Sequence, residues 1–114
     1  MQMKSKVLFL AIFSLLALFT ACENDEDTLV VKVTYNDDAK PIFVANCGPC
    51  HLAGGTNPNK WDNYTTAKNK INSILDRVKK EQGTAGFMPA GGSKLSAETI
   101  AVLDEWLADG LLEN

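Results

Sequence analysis

The chain has 114 residues, with 11 Lys and Arg against 14 Asp and Glu and a single His, for a formal net charge of −3. That length leaves room for one small domain once non-structural segments are set aside. Beyond residue 21 the balance is nine bases against fourteen acids, which argues against nucleic acid as a partner.

The first element is N-terminal. Lys4 and Lys6 precede residues 7–19, thirteen positions with no charge and one Ser. A membrane-spanning helix needs roughly 20 apolar residues. The shorter run suits the core of a secretory signal, with a retained anchor helix as the alternative. It ends in "LFTAC", where Ala21 followed by Cys22 resembles a bacterial lipobox, although Phe19 stands where Leu is usual. Ordinary cleavage would leave Cys22 as an unpaired thiol, a liability in an oxidising compartment. Lipidation of Cys22 would instead anchor the exported chain to a bacterial membrane, on its periplasmic or cell-surface side. The division expected is a lipoprotein signal peptide over 1–21, an acidic tether and extended leader over 22–34, and a domain over 35–114.

"ENDEDT" carries four acids in five residues with nothing to bury, and reads as a tether. "LVVKVTY" has β-propensity but weak alternation, enough for a short edge strand or an extended leader. "NDDAKPIFVAN" predicts a helix. Asp38 is the expected N-cap, which puts Pro41 at the third helical position, where its missing N–H loses no partner. Ile42 and Phe43 supply the apolar face.

"NCGPCH" follows, and it has two readings. Cys47-Gly48-Pro49-Cys50 matches a thioredoxin-type dithiol, whereas Cys47, Cys50 and His51 together match a c-type haem attachment site. A dithiol site needs a strand before the first cysteine inside a βαβ arrangement, and here a helix leads in. The haem reading works chemically. Two thiols on one turn add to the two haem vinyl groups, and the adjacent His51 is held as an axial ligand of the iron. Zinc would want four protein ligands, and these residues offer three.

Residues 64–82 predict a second helix. Ile71, Ile74, Leu75 and Val78 recur at helical spacing, and Gly83 follows as a stop. This stripe is expected to be core lining one haem edge, with Lys68, Lys70, Arg77, Lys79 and Lys80 on the opposite face. "GTAGFMPAGGSK" is a loop by its Gly and Pro content, and it holds Met88, the one methionine outside the signal. A loop methionine often fills a gap in a core. Here it also offers a soft, uncharged sixth ligand, and no second His exists to compete with it. The competing states are an open or water-bound iron, or a lysine such as Lys94 or Lys60. The last helix has a clear start. Ser96 caps it, and Leu95 with Ile100 forms a hydrophobic staple. Ile100, Leu103, Leu107 and Leu111 repeat along one side, with Val102 and Trp106 broadening it.

"KPIFVANCGPCH" and "FMPAGGSKLSAETIAVLDEWLADGL" together resemble class I, mono-haem cytochromes c, over about residues 35–112. The resemblance implies an all-α cytochrome c fold, about three main helices packed around one covalently bound haem c. It implies Cys47, Cys50, His51 and Met88 as the haem-binding residues, and a last helix that crosses the first near Phe43 and Trp106. "LAGGTNPNKWDNY" departs from the family pattern, so the acceptor for the His51 ring N–H is only placed near Pro58. A domain this small cannot bury a large core of its own, so the haem is expected to supply much of it.

Residues 60–80 carry six bases against Asp62 and Asp76, while residues 95–114 carry five acids and no base. These are two solvated faces, or a basic side that steers an acidic redox partner. The reading is a membrane-tethered electron carrier with redox-protein donor and acceptor and no small-molecule substrate. Its alternatives are a haem-based sensor or peroxidase-like enzyme with an open iron position, and a thiol-disulfide oxidoreductase.

Overall fold

A computed structural model describes residues 29–114. The signal run, the lipobox and Cys22 lie outside the described residues. Leu29, Val30 and Val31 are exposed, and the chain first joins the domain at Val33, whose N–H donates to the Asp109 carboxylate at 2.7 Å. Thr34 then pairs with Leu112 in an isolated parallel bridge.

The first helix starts four residues earlier than expected. Thr34, not Asp38, is its N-cap. The Thr34 hydroxyl accepts from the Asp37 N–H at 3.3 Å, and the Asp38 carboxylate reaches back to accept from the Thr34 N–H at 2.8 Å. Asp38 still satisfies a free donor at the helix start, but from inside the first turn. A π-helical turn, Tyr35–Ala39, runs directly into α1, Lys40–Asn46. The Lys40 N–H bonds the Tyr35 carbonyl five residues back, and Pro41, which has no N–H to place, follows at once. Tyr35, Ala39 and Phe43, spaced by four, are the buried face.

Helix α2 spans Tyr64–Lys79 and is capped by Asn63, whose side chain accepts from the Thr66 N–H at 2.9 Å. Ala67, Ile71, Ile74, Leu75 and Val78 are all buried, as their spacing predicts. The helix ends three residues short of expectation. Lys80 is already extended, and the chain folds back so that the Met88 N–H bonds the Arg77 carbonyl at 3.2 Å. Helix α3, Ala97–Ala108, begins at Ser96, which accepts from the Thr99 N–H at 3.2 Å. It ends in a Schellman motif. Gly110 takes φ +91°, its N–H bonds the Leu107 carbonyl, and the Leu111 N–H bonds the Trp106 carbonyl at 2.9 Å. Leu111 therefore lies past the helix rather than continuing its apolar row. Leu103 and Trp106 carry the deepest burial, while Ile100 and Leu107 are only partly covered.

The crossing of the first and last helices falls where the resemblance implied. Trp106 packs edge-on against Phe43, with ring centroids 6.3 Å apart, and lies 5.7 Å from the Tyr35 ring. The C-terminal tail straps this joint. The Leu112 carbonyl accepts both the Tyr35 N–H at 2.8 Å and the Trp106 indole N–H at 2.9 Å, and the Leu111 carbonyl accepts the Tyr64 hydroxyl at 2.8 Å. Among the described residues the fold is all-helical, with three α-helices and no strand beyond the single bridge. No described helix is long and apolar enough to cross a membrane.

Candidate functional site

Residues 47–51 leave α1, which ends at Asn46, as a tight turn. The Cys47 N–H bonds the Phe43 carbonyl at 2.9 Å, and the His51 N–H bonds the Cys47 carbonyl at 3.0 Å. The second bond closes a single five-residue turn that carries both thiols and the imidazole, and both cysteines are free. Cys47 is partly covered, and burial pushes its thiol up to about 11. A thiol raised in this way is the opposite of the depressed, thiolate-forming cysteine that dithiol exchange uses. Among the described residues, no three His, Cys, Asp or Glu side chains converge as a metal cluster.

The His51 ring is held from two sides. Its Nδ1 lies 3.0 Å from the Asn59 carbonyl oxygen. A carbonyl only accepts, so Nδ1 carries the proton and the Nε2 lone pair is left for a metal. The acceptor is thus a backbone carbonyl near Pro58, that of the next residue, Asn59. The second restraint was not legible at all. The indole of Trp61 stacks on the imidazole, with centroids 4.7 Å apart and planes 12° from parallel. The loop between them is closed by main-chain bonds, Gly55 N–H to Leu52, Asn57 N–H to Cys50 at 3.1 Å, and Trp61 N–H to His51 at 2.7 Å.

Cys47, Cys50, His51 and Met88 all line one cavity of about 610 Å³. Ligand and cofactor sites commonly fall between about 300 and 1,000 Å³, with mostly apolar walls and a few polar groups. Here Trp61, Ile74, Val78 and Pro89 supply the apolar wall. The donor set and the room both suit a haem held by two thioethers. Met88 reaches the cavity because its N–H is tied to the end of α2, and the neighbouring Gly86 carbonyl lies 3.4 Å from the Arg77 guanidinium.

Two cations are not where the sequence placed them. Lys70 and Arg77, expected on the face of α2 away from the core, line the cavity together with Ser73. The stripe of buried apolar residues is narrower than half the helix, so positions 70, 73 and 77 fall beside it rather than behind it. Elsewhere the basic belt is largely engaged. Lys79 pairs with Asp104 of α3 at 2.7 Å, Lys80 lies 3.6 Å from Asp76, and Lys68 sits over the Tyr64 ring. Lys94, one of the alternative sixth ligands, pairs with Glu81 at 2.8 Å, and Lys60 donates to the Gly55 carbonyl at 2.7 Å.

Comparison with known proteins points the same way. The family model described as cytochrome c oxidase, cbb3-type, subunit III matches residues 36–107. Cytochrome c6 of Microcystis aeruginosa is 34% identical over 76 residues, which cover 61% of this chain and 90% of that protein. No solved structure matches the chain.

Proposed function

We propose, from the premise that this chain belongs to the class I mono-haem cytochrome c family and carries a covalently bound c-type haem, that it is a lipid-tethered electron carrier with His51 and Met88 as its axial ligands. One observation carries this reading. Cys47, Cys50, the only histidine, and the only methionine outside residues 1–21 border a single cavity. Bound there, the haem supplies a one-electron ferrous/ferric couple.

The protein's own residues do the rest. Cys47 and Cys50 would hold the group covalently, each S–H adding across one vinyl double bond to give a thioether. His51 presents Nε2 because Asn59 holds Nδ1–H. Met88 presents a soft thioether that raises the potential relative to two nitrogen ligands. Trp61, Ile74 and Val78 exclude water from the lining. With His51 and Met88 both holding the group in either oxidation state, little would need to reorganise on transfer. A catalytic role would need an open iron position, which Met88 as a ligand would fill.

Export, with residues 1–21 removed and Cys22 acylated, would leave 22–34 as tether and 35–114 as the working domain. The partners are redox proteins. Since Lys79 and Lys80 are paired with acids, any steering of an acidic partner falls to Lys60, Lys68, Lys70 and Arg77, of which Lys70 and Arg77 line the cavity, and a reaction rate insensitive to salt would remove it.

The test is intact mass with oxidised and reduced visible spectra, on native protein and on Met88→Ala. Native protein should carry haem and lipid masses and give a low-spin ferric spectrum with a sulfur–iron charge-transfer band. Met88→Ala should lose that band and bind carbon monoxide. High-spin iron in the native protein would instead favour a sensor or peroxidase-like role, and absence of haem mass would end the proposal.

A further inference from the structure

The stacking of Trp61 on His51 has no part in attaching a haem, and an ordinary buried tryptophan needs no such partner. Trp61 is buried, and both of its main-chain groups are engaged. Its N–H donates to the His51 carbonyl at 2.7 Å, and its carbonyl accepts the buried Tyr35 hydroxyl at 2.8 Å. The backbone is therefore pinned to the ligand's own backbone on one side and to the helical core on the other. From that base the indole covers one face of the imidazole, 4.7 Å away and nearly parallel.

A single hydrogen bond from Nδ1 to Asn59 fixes one edge of the ring but leaves it free to rock about that bond. A large rigid plane against the face removes this freedom. It also keeps water from the same face, and partners that orient a ligand and set the dielectric around it govern the properties of the metal.

We infer that Trp61 is a positioning residue for the axial imidazole: the stacked indole sets the plane in which His51 meets the iron and holds the reduction potential up by keeping water from the ligand. The inference rests on His51 being that ligand. The ferric state carries one more positive charge than the ferrous, so water admitted beside the ligand stabilises it and lowers the potential.

The experiment compares holoprotein of native sequence, Trp61→Phe and Trp61→Ala. Two readouts report on the ligand itself: the spread of the hyperfine-shifted haem methyl resonances of the ferric form, which follows the orientation of the axial ligands, and the midpoint potential. Trp61→Phe keeps a stacking plane and should stay close to native on both. Trp61→Ala should change the methyl pattern and shift the oxidation equilibrium on the order of tenfold, ~59 mV lower for a one-electron couple. A Trp61→Ala protein with native pattern and potential but a lower melting temperature would reduce Trp61 to a structural role and overturn the inference. So would Trp61→Phe moving as far as Trp61→Ala. Should Trp61→Ala fail to fold, reduced native protein decides: through-space contacts between the His51 ring protons and the Trp61 indole protons are expected, and their absence sinks the inference. Loss of His51 ligation itself would show separately, as a native ferric spectrum lacking the low-spin form.

Discussion

Replacing Trp106 with Ala should remove about 3–5 kcal/mol of stability, the usual range for truncating a buried aromatic. The structure says where that loss comes from. The indole is fully buried between Tyr35 and Phe43, and each aromatic pair adds about 0.5–1.5 kcal/mol beyond burial. Its N–H also gives the Leu112 carbonyl one of two donors, worth about 0.5–1.5 kcal/mol. The remainder is apolar area and the cavity left behind. Domains of this kind hold about 5–15 kcal/mol in all, so the variant should sit near the edge of folding. Urea unfolding of the holoprotein, followed by far-ultraviolet circular dichroism, measures it as a drop in midpoint at constant slope. Trp106→Phe should lose roughly half as much, because it keeps a ring against Tyr35 and Phe43 and gives up only the hydrogen bond and the second ring. A loss below about 1 kcal/mol for Trp106→Ala would show that the first and last helices do not depend on this joint.

Three further outcomes follow from local geometry. A methyl group at Gly55 would overlap the carbonyl oxygens of Pro49 and Cys50, fixed backbone, so Gly55→Ala should cost about 1–3 kcal/mol or more and depress holoprotein yield. Gly48→Ala meets only the flexible end of Leu52 at 3.0 Å and should cost less, so equal yields for the two would refute the argument. Tyr35 is pushed up to about 12, first by burial and then by the charges of Asp62 and Glu113. The unfolded chain releases that proton near pH 10. Between the two values the unfolded state binds fewer protons, so this contribution is complete below pH ~10 and is lost as pH rises towards 12. Alkaline melts should therefore fall more steeply for native protein than for Tyr35→Phe. Finally, Cys47→Ala/Cys50→Ala should yield haem-free protein with no cooperative melt, because so small a domain needs the cofactor to complete its core. A sharp transition by calorimetry would contradict this.

What the sequence revealed and what it hid divide along physical lines. Side-chain periodicity and side-chain caps are written in residue types, so the buried row of α2, the Ser96 cap and the attachment motif were all legible. The true start of the first helix was not, because Asp38 at the fourth helical position looks like a cap when its partner, Thr34, is read as leader. The end of α2 was missed for a related reason. Residues 80–82 are polar and carry no period, and what stops the helix is the return of Met88 to Arg77. The loop after His51 was the least legible part, since it is closed by main-chain bonds that any residues make. The sequence shows Trp61 only as a large apolar residue in a Gly-, Asn- and Pro-rich loop that must find cover, and nothing in it chooses His51 over the nearer Tyr64 as that cover.

These pieces connect into one line of support running from the end of the chain to the haem site. The Leu112 carbonyl holds both the start of the first helix, through the Tyr35 N–H, and the last helix, through the Trp106 indole. Tyr35 passes that restraint on through its hydroxyl to the Trp61 carbonyl, and Trp61 passes it to His51 by a main-chain bond and a stacked ring. The other side of the cavity is held differently. Met88 is only partly buried at the edge of the core, and its loop, with glycines at 86, 91 and 92, is tied to the last turn of α2 by the Met88 N–H and by the Arg77 guanidinium on the Gly86 carbonyl. The imidazole side is therefore part of the helical core, while the thioether side is a loop hung from a helix end. Local opening tracks the number of buried contacts a segment makes. Of the two proposed bonds to iron, the one to sulfur should be the first to open, and displacement of Met88 should precede any unfolding of the three helices.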